Sequence, residues 1–167
     1  MFSRPIAGLF VLASLVACTG QPPACETGQP VPIFDTRYPA VVEQAFEVAG
    51  QNSLETVRID TWQGVDLELR QSGCEAVTQE YTFTLPADHP TVGGGAGSTA
   101  ANLFYMLGGI DRQLAHFQAF GDAMNDKRTE LLDGKEVELV PGMRIKVDQL
   151  QAGEEIIQRV VLRQTAQ

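Results

Sequence analysis

The segment VGGGAGSTAANLFYML, residues 92–107, runs from glycines through a hydroxyl pair into an apolar stretch, as a loop that cradles phosphate at a helix start would. A Walker-type loop, however, ends in Gly-Lys-Ser/Thr, because the backbone wraps the phosphate while the lysine reaches it. Here Gly97 passes directly to Ser98 and Thr99, and the lysine is missing. The segment therefore reads as a flexible connection from sheet to helix, with Ser98 or Thr99 as N-cap. No nucleotide is expected.

Nucleophilic chemistry has equally little to work with. There is no Gly-x-Ser-x-Gly, and Ser53, Ser72 and Ser98 fall in turn-like contexts. Asp88-His89-Pro90 places a base beside a carboxylate, but sequence neighbours seldom face each other as a triad requires. His116, beside Phe117, reads as a structural helix-flank histidine. Neither histidine has zinc-ligand spacing, and there is no Cys-x-x-Cys. The carboxylates Asp122, Asp126, Glu130, Asp133, Glu154 and Glu155 do not follow the ligand order of a calcium loop and read as solvated surface. Catalytic residues, metals and cofactors are all expected to be none.

One set of charges invites a binding reading. With Ile145 and Val147 inward, Arg144, Lys146 and Asp148 point outward. With Ile156, Val160 and Leu162 inward on the last strand, Arg159 and Arg163 join them. Arg144, Lys146, Arg159 and Arg163 would then share one sheet face of an acidic protein. Cross-strand pairing with Glu136 and Glu138, worth little, is one reading. A docking face for an acidic partner is the other. Trp62, at the end of a hairpin, is a further candidate contact residue.

The elements that must position these residues follow from hydrophobic period. Residues 39–49, PAVVEQAFEVA, open on a proline and carry Val42, Phe46 and Ala49 at helical spacing, so a short helix is expected. From Glu55 the period becomes two. Val57 and Ile59, then Val65, Leu67 and Leu69, then Val77, Tyr81, Phe83 and Leu85 alternate with polar residues. Gln63-Gly64 and Ser72-Gly73 supply the turns. Leu103, Leu107, Ile110, Leu114, Phe117 and Met124 then form a helical stripe that stays in phase across Gly108-Gly109. One long helix ending at Asn125-Asp126 is expected, straight or bent at glycines that each cost about 1 kcal/mol there. Three strands follow, Glu136–Val140, Arg144–Leu150 and Glu155–Arg163. The expected fold is α+β: an antiparallel sheet of about six strands with one long helix on one face.

Composition and the start of the chain bound the setting. The formal net charge of −9 opposes approach to nucleic acid or an anionic bilayer. Arg4 precedes an apolar run from Ile6 to Ala17, too short for a membrane span and suited to a secretory signal. The run ends in Leu15-Val16-Ala17-Cys18, which resembles the lipobox of bacterial lipoproteins. The resemblance covers only the leader. It implies cleavage before Cys18, diacylation of its sulfur and anchoring in a membrane, which more than one acyl chain makes stable. Thr19 stands where an aspartate often retains such lipoproteins at the inner membrane, so the resemblance points to the outer membrane, facing the periplasm.

In that oxidising setting, Cys25 and Cys74 remain. A Cys25–Cys74 disulfide would close a loop of about 50 residues, worth about 4 kcal/mol in the chain-entropy treatment. Two free buried thiols are the alternative. The expected organisation is a signal peptide over 1–17, a Pro- and Gly-rich tether over 18–32 and one domain over 33–167. The expected function is a membrane-anchored envelope lipoprotein that binds a protein partner without catalysis, as an inhibitor, immunity protein or accessory factor. A structural lipoprotein contacting the cell wall, or a small periplasmic hydrolase, are the alternatives.

Overall fold

The computed structural model describes residues 30–60, 64–73 and 77–164. The readings on the leader, on most of the tether and on Cys18, Cys25, Trp62 and Cys74 fall outside the described residues. In chain order the elements are β1 (Val41–Ala49), β2 (Asn52–Ile59), β3 (Val65–Ser72), β4 (Thr78–Pro86), α1 (Ala96–Ile110), a 3-10 turn (Arg112–Leu114), α2 (His116–Asp126), β5 (Glu136–Val140), β6 (Met143–Ala152) and β7 (Glu155–Gln164).

The strands form one sheet in the order β1-β2-β3-β4-β7-β6-β5, with every neighbouring pair antiparallel. Two meanders, β1 to β4 and β5 to β7, therefore meet at the β4–β7 pair, and the helices make the crossover between them. One face is buried because alternate residues are apolar: Val57 and Ile59, Leu67 and Leu69, Tyr81, Phe83 and Leu85, Ile145 and Val147, and Val160 and Leu162. The helices cover that face. Phe104 meets Tyr81 edge-on at 5.1 Å and Phe117 at 5.6 Å, which locks sheet and both helices into one aromatic cluster.

The α+β expectation holds, with two corrections. Residues 41–49 form a strand where a helix was expected, giving seven strands where about six were expected. Gly50, at a φ of +65°, and Gln51 make a tight turn that pairs Ala49 with Asn52. A bulge between Val41 and Glu43 shifts the alternation, so that Gln44, Phe46 and Val48 share the inner row.

The long helix is two helices. The apolar stripe is buried as expected, at Leu103, Leu107, Leu114, Phe117 and Met124. But the chain becomes extended at Asp111, whose carboxylate accepts from the Gln113 N–H at 2.9 Å and starts the 3-10 turn. α2 then folds back antiparallel on α1. A Cβ on Gly108 would stand 2.5 Å from Gln118 Cγ, and one on Gly121 would stand 2.8 Å from the Tyr105 ring. These glycines are the contact points of a helical hairpin.

Candidate functional site

The glycine loop closes on itself. Thr99 is fully buried, and its Oγ1 accepts from the Gly93 N–H at 3.2 Å and from Gln149 Nε2 at 3.4 Å. The N-cap of α1 is Gly95, with no side-chain cap, where Ser98 or Thr99 was expected. The Thr99 N–H instead makes the first helical bond, to Gly95 O, while its hydroxyl reaches back to Gly93. Beside this turn, Leu131 stands where a Gly97 side chain would go, 2.8 Å from its Cβ position. The segment connects sheet to helix as expected, but it is tightly packed where a flexible connection was expected.

Both histidines bond within the fold. His89 is buried, and its Nδ1 lies 2.8 Å from Thr91 Oγ1. The His116 ring packs at a 35° tilt against Phe117, centroids 4.3 Å apart, with Nδ1 3.3 Å from Gln113 O. Among the described residues, no three His, Cys, Asp or Glu side chains gather as a metal site would require. No helix there is long and apolar enough to cross a membrane.

The four cations share the outer sheet face, as alternation implied. Arg159 grips Glu80 with two hydrogen bonds, 2.7 and 2.8 Å, which push its pKa up from the ordinary arginine value. Arg163 and Arg144 share Glu136 at 2.9 and 3.5 Å. Lys146 lies 3.2 Å from Asp148. The face is thus a mosaic of half-exposed ion pairs, each worth at most about 1 kcal/mol. Of the expected carboxylates, Glu136 takes part and Glu138 bonds the Gly142 N–H instead, while Glu80 takes the place that Glu138 was expected to fill.

Two further features lie outside the candidate residues above. The first is a cleft of about 650 Å³ on the outer side of α1, lined by Pro39, Pro90, Asn102, Tyr105, Met106 and Ile110 among others. Its polar side chains are engaged inside the protein. The Asn102 amide donates to Thr91 O at 3.0 Å, and the Tyr105 hydroxyl donates to Asp122 at 2.8 Å, a bond that pushes the Tyr105 pKa up. Among the described residues, no acid, histidine, lysine, serine or cysteine lines it, and its surface suits apolar side chains.

The second is Glu55, wholly buried on the inner face of β2. Its carboxylate accepts from the backbone N–H groups of Ile33 and Phe34 at 2.9 and 3.0 Å, and from Gln44 Nε2 at 3.0 Å. Burial pushes its pKa up, and the three donors pull part of the way back. Glu55 thereby fastens the strap of residues 30–40 across the sheet, where Phe34 stacks parallel to Phe117 at 6.1 Å. Its signal was available: Glu55 stands in the inward phase with Val57 and Ile59.

Comparison of the chain with models of known protein families, with curated proteins and with solved structures finds no match.

Proposed function

We propose that the chain is a lipid-anchored envelope protein whose domain binds another protein and performs no chemistry of its own. The lipobox-like Leu15-Val16-Ala17-Cys18 supports the anchor, and Thr19 supports the outer membrane. The observation that carries the binding reading is the α1 cleft. It is apolar, open at the surface and lined by Tyr105, Met106 and Ile110, side chains suited to gripping a partner's apolar residues. The role is that of an inhibitor, an immunity protein or an accessory factor of an envelope complex.

The test is site-specific photocrosslinking in cells, with the probe at Met106 in the cleft, at Arg163 on the cation face, and at exposed Lys135 as control. A discrete adduct from Met106 or Arg163, absent from Lys135, is the expected result. No adduct from either surface sinks the binding reading. Cys18→Ser should move the protein from the membrane to the soluble fraction, and retention at the membrane would remove the anchor reading.

A further inference from the structure

The two edges of the sheet are built differently. β5 is five residues long, carries a bulge between Glu138 and Val140, and turns at Pro141. Short edge strands, bulges and prolines are how proteins blunt an edge against strand addition. β1 has nine residues and neither proline nor lysine within it, and its bulge is confined to its first residues. Val42 is 50% and Val48 45% exposed, and the strand is exposed over most of its length. Edge backbone groups of this kind are a ready template for an incoming strand.

We propose that β1 is a strand-addition site for an extended, basic segment of the protein partner, an inference that rests on the binding reading above and names the chemistry of the partner. Charge and row order specify the occupant. Glu43 and Glu47 sit in the outer row, and among the described residues neither has an ion pair. Phe46 and Val48 sit in the inner row. An added strand therefore matches β1 when lysine or arginine alternates with apolar residues: the cations fall beside Glu43 and Glu47, the apolar residues beside Phe46 and Val48. A second copy of this chain fits poorly, because pairing β1 with itself crowds four glutamates onto one face of the joint. The edge also continues into the cleft, since Pro39 and Ala40 line the cleft and lead directly into Val41. One extended segment can run along β1 and seat an apolar end against Tyr105 and Met106.

The probe is a labelled nine-residue peptide of alternating lysine and valine, added to the full chain in detergent at low salt. Binding is read by fluorescence anisotropy, and its place by amide hydrogen exchange. The lysine peptide should bind about tenfold more tightly than its glutamate counterpart, two opposite-charge pairs replacing two like-charge pairs. It should slow exchange over residues 41–49. N-methylation of alternate backbone nitrogens, which keeps charge and shape but removes donors, should abolish binding. The double variant Glu43→Lys, Glu47→Lys should invert the preference between the two peptides. Absence of binding, equal binding of the N-methylated peptide, protection elsewhere than β1, or a β1-protected dimer without peptide would each overturn the proposal. Should the cleft crosslink a partner in cells while the peptide fails, the edge proposal falls and the binding reading stands.

Discussion

Gly108 and Gly109 are neighbours near the end of α1, yet replacing each with alanine should move stability in opposite directions. Alanine gains about 0.5–1 kcal/mol over glycine in a helix, because it loses less backbone freedom on folding. At Gly109 nothing lies within 4 Å of the added Cβ, so the gain stands, trimmed towards about 0.5 kcal/mol by the nearby helix end. At Gly108 the Cβ meets Gln118 Cγ at 2.5 Å and Gln118 N at 2.8 Å. The side chain can swing away, but the backbone nitrogen moves only if α2 moves. Overpacking of this kind costs about 1–3 kcal/mol. The displaced Gln118 also loses its bond to Gly108 O, now 3.2 Å, worth about 1 kcal/mol. Against the propensity gain, Gly108→Ala should destabilise by about 1–3 kcal/mol net. The two variants should differ by about 5–10 °C in Tm. Thermal melts by circular dichroism and urea titrations measure both. In a single continuous helix both glycines are interior and both alanines stabilise. Two stabilising substitutions would therefore refute the helical hairpin.

Glu55 gives a pH signature. Its folded pKa lies above the ordinary 4.5, so the folded state holds the proton more tightly than the unfolded chain. The contribution of that proton is full below pH 4.5 and is lost as pH rises through the folded value. The stability difference between wild type and Glu55→Gln, from urea melts between pH 4 and 8, should fall with rising pH and then level; a flat difference would show that burial does not perturb this carboxylate. Arg159→Ala should cost less than about 1 kcal/mol in the same melts, because the Glu80 pair is half exposed. Reversing Arg144 and Arg159 to glutamate should reduce crosslinking from the Arg163 probe if that face docks an acidic partner, and unchanged crosslinking would leave the pairs a purely local role. Thiol counting on the mature protein without reductant should find Cys25 and Cys74 unreactive, and two reactive thiols would remove the disulfide. The described residues on either side already meet, since Gln71 Nε2 donates to Val31 O at 3.3 Å.

Six of the seven strands are legible in the sequence because each buries one face, so its apolar residues recur with period two. β1 hides for a physical reason. Gln44 occupies its inner row because Glu55, opposite Phe46, needs a donor there, while Ala45 and Ala49 stand in the exposed outer row. With the bulge at Val42, polarity no longer tracks facing, and Val42, Phe46 and Ala49 mimic a helical stripe. The helix break hides differently. A stripe continues in phase whether the chain runs on or folds back, and the approach of Gly108 to Gln118 is a tertiary fact. The outer cation face follows from alternation alone, but its partners only partly: Glu80, 79 residues before Arg159, appears only once β4 lies beside β7. The cleft was not legible, because Pro39, Pro90 and Tyr105 come from three separate parts of the chain.

The misread strand and the missed carboxylate are one arrangement. Glu55 and Gln44 make the β1–β2 end of the inner face polar, and that polarity is answered by the backbone of Ile33 and Phe34. The strap is therefore fastened beside β1, next to the open edge and the cleft that Pro39 and Ala40 help to line. On the proposed anchoring at Cys18, the twelve steps to Pro30 span about 37 Å in an extended, Pro-rich form. A Cys25–Cys74 disulfide would shorten that reach. The Ala49 end of the β1 edge, at the same end of the sheet as Ser72, would then be held nearer the bilayer than the cleft, which adjoins the Val41 end. A partner recruited through β1 must consequently present its basic segment close to the membrane. Lengthening the tether with a flexible insertion after Pro23 should then leave peptide binding in detergent unchanged while altering crosslinking from β1 in cells. If neither changes, the membrane distance plays no part in recognition.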